Sequence, residues 1–123
     1  MSQNEITVRL PRERPFFGVV HLVVGGLAAR HDLNLEQLED LQVALAELLE
    51  QEETEADITV AVGVEDGHVH ALVGPFDASL QDRLDREEAD GVGLRRVLET
   101  VVDAVEITDR DGSPWVELTK RVR

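Results

Sequence analysis

A series of leucines in the middle of the chain is the feature that most restricts its fold. Four of them recur at spacings of three and four residues, as one face of a helix requires: Leu38, Leu41, Leu45 and Leu48. The pattern predicts a helix over residues 35–52, with Asp32 or Asn34 as its N-cap. Because a helix with a continuous apolar face must bury that face, the rest of the chain has to supply a second layer.

Alternating apolar and polar residues predict the strands of that layer. They cover residues 5–10, 58–62, 69–73, 104–108 and 115–122. Residues 65–68 and 109–112 carry the Asp and Gly residues of tight hairpin turns. The last four strands are therefore expected to form two hairpins.

The remaining segments complete a two-layer architecture. Residues 16–30 fit either a buried strand or a helix, and their length and apolar spacing favour the helix. Residues 74–90 predict a long loop with one helical turn near 79–86, and the sequence Gly-Val-Gly-Leu at 91–94 opens a further helix. We expect one domain over residues 1–123, an α/β two-layer sandwich whose mixed, mainly antiparallel sheet carries three helices on one face.

Composition narrows the class of protein. The chain has 123 residues, 42% of them apolar, which suffices for one core, and the lack of cysteine excludes disulfides and thiolate-bound metal centres. Residues 1–5 lack the basic start and apolar run of a signal peptide. The longest apolar stretch, residues 16–29, is shorter than the roughly 20 residues that span a bilayer. We expect a soluble, cytoplasmic protein that does not enter membranes.

The negative charge is concentrated in one part of the chain. The net charge is −14, and residues 31–82 contain 14 acidic residues and no Lys or Arg, whereas the remainder contains 12 acidic and 12 basic residues. Such a segment repels phosphates, so nucleic acid is not an expected ligand. Two interpretations stay open: a solvated acidic face that keeps the protein soluble, or a docking surface for a basic protein partner.

Three motifs, in the right order along nearly the whole chain, resemble a known family. Residues 38–47, Leu-Glu-Asp-Leu-Gln-Val-Ala-Leu-Ala-Glu, resemble the E-D-x-x-x-A-x-x-E helix of the GHKL ATPase superfamily, in its anti-sigma-factor serine kinase branch. Residues 91–94 with 98–107 resemble the G-x-G-L helix and the strand that follows it, and residues 116–121 resemble the last strand. The resemblance implies the two-layer fold of that branch, with ATP and Mg²⁺ as the cofactors of its active members.

The resemblance also assigns roles to residues at two ends of a nucleotide site. Glu47 takes the position of the base that activates the attacking hydroxyl or water, and Gln51 takes that of the asparagine that holds Mg²⁺. Mg²⁺ tolerates little geometric error, so the longer Gln is an imperfect ligand. Gly91, Gly93 and Leu94 take the position of the phosphate cradle, where a helix N-terminus offers backbone N–H groups.

The adenine end of the site departs from the family pattern. The family carries an aspartate in a D-x-G-x-G-F motif, whereas residues 71–77 retain Gly74 as a candidate nucleotide-binding residue but are one residue short. The aspartate position therefore falls on Ala71, Leu72 or Val73. A purine edge left without its hydrogen-bond partner costs about 1–3 kcal/mol, so adenine should be recognised poorly.

Three functions remain open at this stage. The favoured hypothesis is a regulator without kinase activity that binds a sigma factor or an anti-sigma antagonist by partner switching. The alternatives are an active Mg²⁺-ATP-dependent serine kinase and an unrelated small α+β binding domain. The apolar segment 16–29 allows a homodimer. His68 and His70 share a strand face and could chelate a metal, but no third ligand is evident nearby, so we predict an exposed hairpin strand there and no metal site.

Overall fold

A computed structural model describes residues 5–51, 56–86 and 93–122 of the chain. Its strands are β1 (Glu5–Pro11), β2 (Asp57–Glu65), β3 (His68–Gly74), β4 (Ala104–Arg110) and β5 (Ser113–Arg121). Its helices are α1 (Arg14–Arg30), α2 (Leu35–Leu49), α3 (Leu80–Asp85) and α4 (Leu94–Val101). The predicted α/β architecture is confirmed, with the helical turn near residues 79–86 present as α3.

The five strands form one sheet in the order β1-β2-β3-β5-β4, and each neighbouring pair is antiparallel. The sheet of the described residues is therefore antiparallel throughout rather than mixed. Alternate side chains of β2, from Ile58 to Val64, are buried against the helices. The intervening positions, among them Thr59, face the opposite side of the sheet, where His70, Trp115 and Glu117 line a shallow groove of about 340 Å³.

Two Asp-Gly pairs close the hairpins as the sequence predicts. Asp66 and Gly67 have φ angles of 52° and 76°, and Asp111 and Gly112 have φ angles of 53° and 82°. Two successive residues with positive φ form the mirror-image turn whose twist matches that of paired strands. These turns set the register of β2 with β3 and of β4 with β5.

The ambiguous segment 16–30 is a helix, and its buried residues recur at helical spacing: Val20, Val24, Leu27 and Ala28. In α2, the Asn34 side chain accepts a hydrogen bond from the Gln37 N–H while the Gln37 side chain accepts one from the Asn34 N–H. This capping box stabilises the start of the helix. The helix ends at Leu49, three residues before the predicted end, because the next two residues, Glu50 and Gln51, are polar and add nothing to its apolar face.

Two glycines in α1 provide a test of helix propensity. Gly25 and Gly26 lie inside the helix, and a Cβ atom added at either would meet nothing within 4 Å. We expect Gly26→Ala to raise the free energy of unfolding by about 0.5–1 kcal/mol, because alanine loses less backbone entropy on folding. Urea denaturation followed by circular dichroism measures the change. A lower stability would mean that the added methyl group meets a neighbour in solution.

Candidate functional site

Helix α2 carries the candidate base Glu47 on its half-buried side. The opposite side of the helix packs into the core through five residues: Leu41, Ala44, Leu45, Leu48 and Leu49. The capping box and this apolar face hold the helix rigidly. The side chain of Glu47 is therefore carried by a well-anchored element and is partly open to solvent.

Gln51 lies beyond the end of α2 and does not project from it as the sequence suggested. Its side-chain Nε2 donates a hydrogen bond to the backbone carbonyl of Glu47 at 3.0 Å. The backbone carbonyl oxygen of Gln51 accepts a hydrogen bond from Nη1 of Arg83 at 2.9 Å. Because α2 ends at Leu49, and not at residue 52 as predicted, Gln51 does not extend the helix that carries Glu47.

Gly74 ends β3 and is required there by packing. A Cβ atom built on Gly74 would lie 2.4 Å from Cδ2 of Trp115 and 2.6 Å from its Cγ. The indole lies against the glycine on the face of the sheet opposite the helices, one step beyond the paired residues Val73 and Val116. Close approach of Trp115 thus explains the glycine without a nucleotide.

The candidate phosphate cradle falls at the start of α4. Gly93 is buried and is the N-cap of the helix, with its carbonyl oxygen accepting a hydrogen bond from Val97 N at 3.1 Å. Leu94 is the first helical residue and packs against the hydrophobic core. The third predicted residue, Gly91, lies outside the described residues. The backbone N–H groups at this end of α4 are those that an anion would meet.

The helices that carry the two ends of the candidate site pack on one another. Helix α4 contacts both α2 and α3. Between α3 and α4 lies an open groove of about 510 Å³, bordered by Gly93 and by the side chains of Arg86, Arg95 and Arg96. Arg95 forms an ion pair with Asp85 at 3.5 Å, and both side chains are partly exposed. Among the described residues, the groove is lined by these arginines and also by the carboxylates of Asp85 and Glu99.

Arg83 is a residue that the sequence reasoning missed. Its guanidinium bridges the Gln51 carbonyl and the carboxylate of Asp77, at 2.9 Å and 3.4 Å. The helix that carries it is anchored by Leu80 and Leu84, which are fully buried. The signal was present in the sequence, since Arg83 is the first basic residue after a segment, 31–82, that has none.

Arg12, from the segment between β1 and α1, also holds the loop after β3 in place. It is a buried charged residue, 5% exposed, and its guanidinium donates a hydrogen bond to the Pro75 carbonyl and lies over the Phe76 ring, 5.5 Å from its centroid. Hydrogen bonds from Ser79 lower the pKa of the neighbouring Asp77 carboxyl below its ordinary value, and the charges of Arg83 and Arg12 lower it further. The first residues of the predicted long loop are therefore tightly held.

The helix-facing side of β3 offers no hydrogen-bonding side chain. Val69, Ala71 and Val73 are buried there, and all three are apolar. On the other face, the His68 and His70 rings lie 6.2 Å apart. Within residues 5–51, 56–86 and 93–122, no group of three or more His, Asp or Glu side chains is arranged to hold a metal ion.

The fold and the order of these elements define a class: an α/β domain with the layout of GHKL-type serine kinases. The chain is 25% identical to the serine-protein kinase RsbW of Bacillus velezensis, over 90% of this chain and 82% of that protein. It is 23% identical to RsbW of Bacillus subtilis over the same shares. The resemblance drawn from the three motifs is confirmed. No protein-family model matches the chain.

Solved structures have the same fold. The RsbU and RsbW domains of Rv1364c from Mycobacterium tuberculosis align with a TM-score of 0.70 and 19% identity, over 96% of this chain and 32% of that one. A chain of the SiaB–SiaC complex from Pseudomonas aeruginosa aligns with a TM-score of 0.59 and 17% identity, over 94% of this chain and 88% of that one. The alternative of an unrelated α+β domain is therefore wrong. In the described parts of the chain, no helix has the length and apolar character to cross a membrane.

Proposed function

We propose that this protein is a partner-switching regulator that acts by binding another protein, a sigma factor or an anti-sigma antagonist, and that its nucleotide pocket has lost Mg²⁺-ATP. The proposal keeps the scaffold of the serine kinases to which the chain is similar and assigns the function to its surfaces. It is the favoured hypothesis of the sequence reasoning.

The contact between Arg83 and Gln51 is the observation that carries the proposal. The residue at the metal-binding position turns its amide nitrogen onto the Glu47 carbonyl, and a guanidinium occupies the space beside its backbone. A fixed positive charge next to a Mg²⁺ ligand opposes the cation. At the adenine end, the apolar residues Ala71 and Val73 supply no acceptor for the purine amino group. These described residues do not fit Mg²⁺-ATP.

Protein partners are supported by the relatives. The RsbW proteins are serine-protein kinases, which act on other proteins, and a chain of the same fold occurs in the SiaB–SiaC complex. The acidic segment 31–82 supplies a surface charge that complements a basic protein. Binding of a purified cognate sigma factor or antagonist, measured by co-elution, tests this part of the proposal directly. A homodimer stays a prediction, which sedimentation velocity checks.

Titration with millimolar Mg²⁺-ATP tests the loss of the nucleotide. We expect neither heat in calorimetry nor a shift of the thermal unfolding midpoint. The reason is that the Mg²⁺-binding position and the adenine end of the pocket both lack the side chain that the family uses there. Arg83→Ala serves as the control for simple blockage: it too should remain inert, since β3 still lacks a purine acceptor. Micromolar, metal-dependent binding by the unaltered protein would contradict the proposal.

An active serine kinase is the second candidate, favoured by the description of the relatives as serine-protein kinases and by the partly exposed Glu47. If phosphate transfer to a serine of a cognate antagonist is detected, Glu47→Ala should abolish it while nucleotide affinity stays nearly unchanged. Loss of a general base typically lowers a rate by about 10²–10⁴-fold. Radiolabelled ATP and a purified antagonist provide the measurement.

A further inference from the structure

Strand β4 forms one margin of the sheet. In the order β1-β2-β3-β5-β4 it pairs on one side with β5, and α4 packs against it. A strand at the margin of a sheet presents unpaired backbone N–H and C=O groups, which are a template for pairing with another chain. We call the side of residues 104–110 that points away from β5 the β4 edge.

The backbone groups on the β4 edge follow from the hairpin turn. A turn of this type joins its first and fourth residues, here Arg110 and Ser113, by a hydrogen bond. Hydrogen-bonded pairs recur at every second residue of an antiparallel ladder, so the even-numbered residues of β4 bond to β5. The N–H and C=O groups of Val105, Ile107 and Asp109 therefore point towards the β4 edge.

The opposite margin of the sheet, β1, has features that discourage pairing. It ends in Pro11, which has no N–H group, and it carries the exposed Arg9, paired with Asp57. Proline and basic side chains are the usual protection of an edge strand. Strand β4 contains neither proline nor lysine. Its Ile107 is only half-buried where it packs against the core, so an added strand would cover it further.

The charges along β4 indicate what kind of strand would fit there. Glu106 lies directly opposite Glu117 of β5. Like charges in directly opposed positions of two strands repel and destabilise the pair. Within residues 5–51, 56–86 and 93–122, neither carboxyl group has an ion pair or a hydrogen bond. Asp109 is a third, exposed carboxylate on the same strand. A strand with basic side chains would supply the missing cations.

A second copy of the chain fits the β4 edge less well than a basic strand. Antiparallel pairing of two β4 strands about Thr108 would oppose Glu106 to Arg110 at both ends. It would also bring the two Asp109 carboxylates together, and it would join two chains that each carry a net charge of −14. Arg110 already lies over the ring of Trp115, 5.5 Å from its centroid. A basic strand meets none of these obstacles.

We propose that the β4 edge binds an extended, basic segment of a partner protein, which adds to the sheet as a further strand antiparallel to β4. One basic side chain of the segment lies beside Glu106 and Glu117, a second faces Asp109, and an apolar one covers Ile107. Backbone hydrogen bonds supply affinity and the alternate side chains supply specificity. This inference rests on the proposed function, because it gives the location and chemistry of a protein-docking surface.

The probe is a synthetic peptide with the sequence Thr-Lys-Thr-Val-Lys-Val-Thr, whose fifth residue is placed opposite Glu106 and whose fourth is placed opposite Ile107. A second version carries glutamates in place of the lysines. We expect the basic peptide to bind at physiological salt, as measured by fluorescence anisotropy, and the acidic peptide not to bind. Absence of binding by the basic peptide would overturn the inference.

Methylation of the peptide nitrogens separates strand addition from simple charge attraction. In the proposed register, the second and fourth residues donate their N–H groups to β4, whereas those of the third and fifth point away from it. N-methylation of the second and fourth residues should weaken binding by at least about tenfold, and N-methylation of the third and fifth by less than about twofold. Equal effects would mean that the peptide does not extend the sheet.

Amide hydrogen exchange gives the position of the bound peptide. In the free protein, the amides of Val105, Ile107 and Asp109 should exchange quickly, whereas those of Glu106 and Thr108 should already be slow. The basic peptide should slow the first three by at least about tenfold. Slower exchange confined to other elements would overturn the inference.

A charge-reversed pair of variants tests the role of Glu106. Glu106→Lys alters β4, and Glu5→Lys makes the same change at an exposed position of the other marginal strand, β1. Both variants have the same net charge. We expect Glu106→Lys to weaken the basic peptide by at least about fivefold and Glu5→Lys to change it by less than about twofold. Glu106→Lys should also raise the thermal unfolding midpoint by about 2–4 °C, because it replaces a repulsive cross-strand pair with an attractive one. Equal weakening by the two variants would contradict a site at β4.

Two other roles of β4 give different results. If Glu106 only protects the edge, the basic peptide does not bind and Glu106→Gln makes the protein self-associate in sedimentation velocity. If the occupant is a second copy, the unaltered protein forms a dimer in which the amides of Val105, Ile107 and Asp109 are slow without any peptide. Either result would show the inference to be wrong.

Two outcomes separate this inference from the proposed function. If a cognate sigma factor or antagonist binds and Glu106→Lys does not weaken it, the inference fails and the proposed function stands. If micromolar Mg²⁺-ATP binding is found while the peptide results hold, the proposed function fails and the docking surface at the β4 edge stands.

Discussion

Gly74→Ala is expected to lower the free energy of unfolding by about 2–3 kcal/mol, the cost of forcing an additional group into a packed site. The new Cβ would lie 2.4 Å from the indole of Trp115, a distance that no carbon pair tolerates. The atoms that it meets are Cγ, Cδ2 and Cε3, which form the inner part of a rigid ring. Relief requires the whole indole or the strand to move. Denaturant unfolding followed by far-ultraviolet circular dichroism measures the loss, with a signal that does not depend on the tryptophan.

The matched control is the same substitution at a glycine with open space around it, Gly26→Ala, which should stabilise the protein. Opposite signs at the two sites identify Gly74 as a packing glycine. In a double-mutant cycle, Trp115→Ala should remove most of the penalty of Gly74→Ala, since residues in contact are strongly coupled. If Gly74→Ala is as well tolerated as Gly26→Ala, packing does not explain Gly74, and a nucleotide-binding role gains support.

Arg12→Ala is expected to lower the free energy of unfolding by about 3 kcal/mol. The substitution removes a side chain that is 5% exposed, leaves a cavity against Phe76 and deprives the Pro75 carbonyl of a donor. The loop that carries Asp77 should loosen at the same time. Thermal unfolding measures the stability, and amide hydrogen exchange of residues 75–79 measures the local opening.

Arg9→Ala is the control, because Arg9 lies three residues earlier and differs chiefly in burial. Its side chain is 75% exposed and pairs with Asp57 at 3.1 Å. A pair of this kind contributes about 0–1 kcal/mol. Equal losses for the two arginines would show that Arg12 contributes through its charge alone, and the account of a buried anchor would be wrong.

Local patterns in the sequence predict most of the elements because each depends on neighbouring residues. The spacing of the leucines in α2 and the alternation of apolar residues in β2 indicate directly which face of each element is buried. The Asp66-Gly67 pair has the residues that a turn with positive φ needs, so its conformation follows from local sterics. The end of α2 was predicted three residues late, because propensity continues past Leu49 whereas burial does not.

The candidate site was predictable only in part. The family pattern placed Glu47 on α2 and Gly93 and Leu94 at the start of α4, where the structure has them, but it placed Gln51 on a helix that ends two residues earlier. It also could not show that the Gln51 side chain turns back onto the backbone carbonyl of Glu47. That conformation accompanies the contact with Arg83, which lies 32 residues away. Contacts at such separation depend on how α3 packs, and α3 has too few residues to produce a clear periodic signal.

By itself, the sequence determined the class of fold, the hairpin turns and the concentration of acid in residues 31–82. These follow from periodicity, turn sterics and composition, all of which act locally along the chain. Only the tertiary structure decided that the indole of Trp115, from β5, packs against Gly74, and that Arg12 and Arg83 hold the loop at Asp77. It also decided that the apolar side chains of Phe16, Val19 and Leu22 on α1 are exposed. Each of these depends on which distant segments meet, and that is set by packing of the whole core rather than by any local pattern.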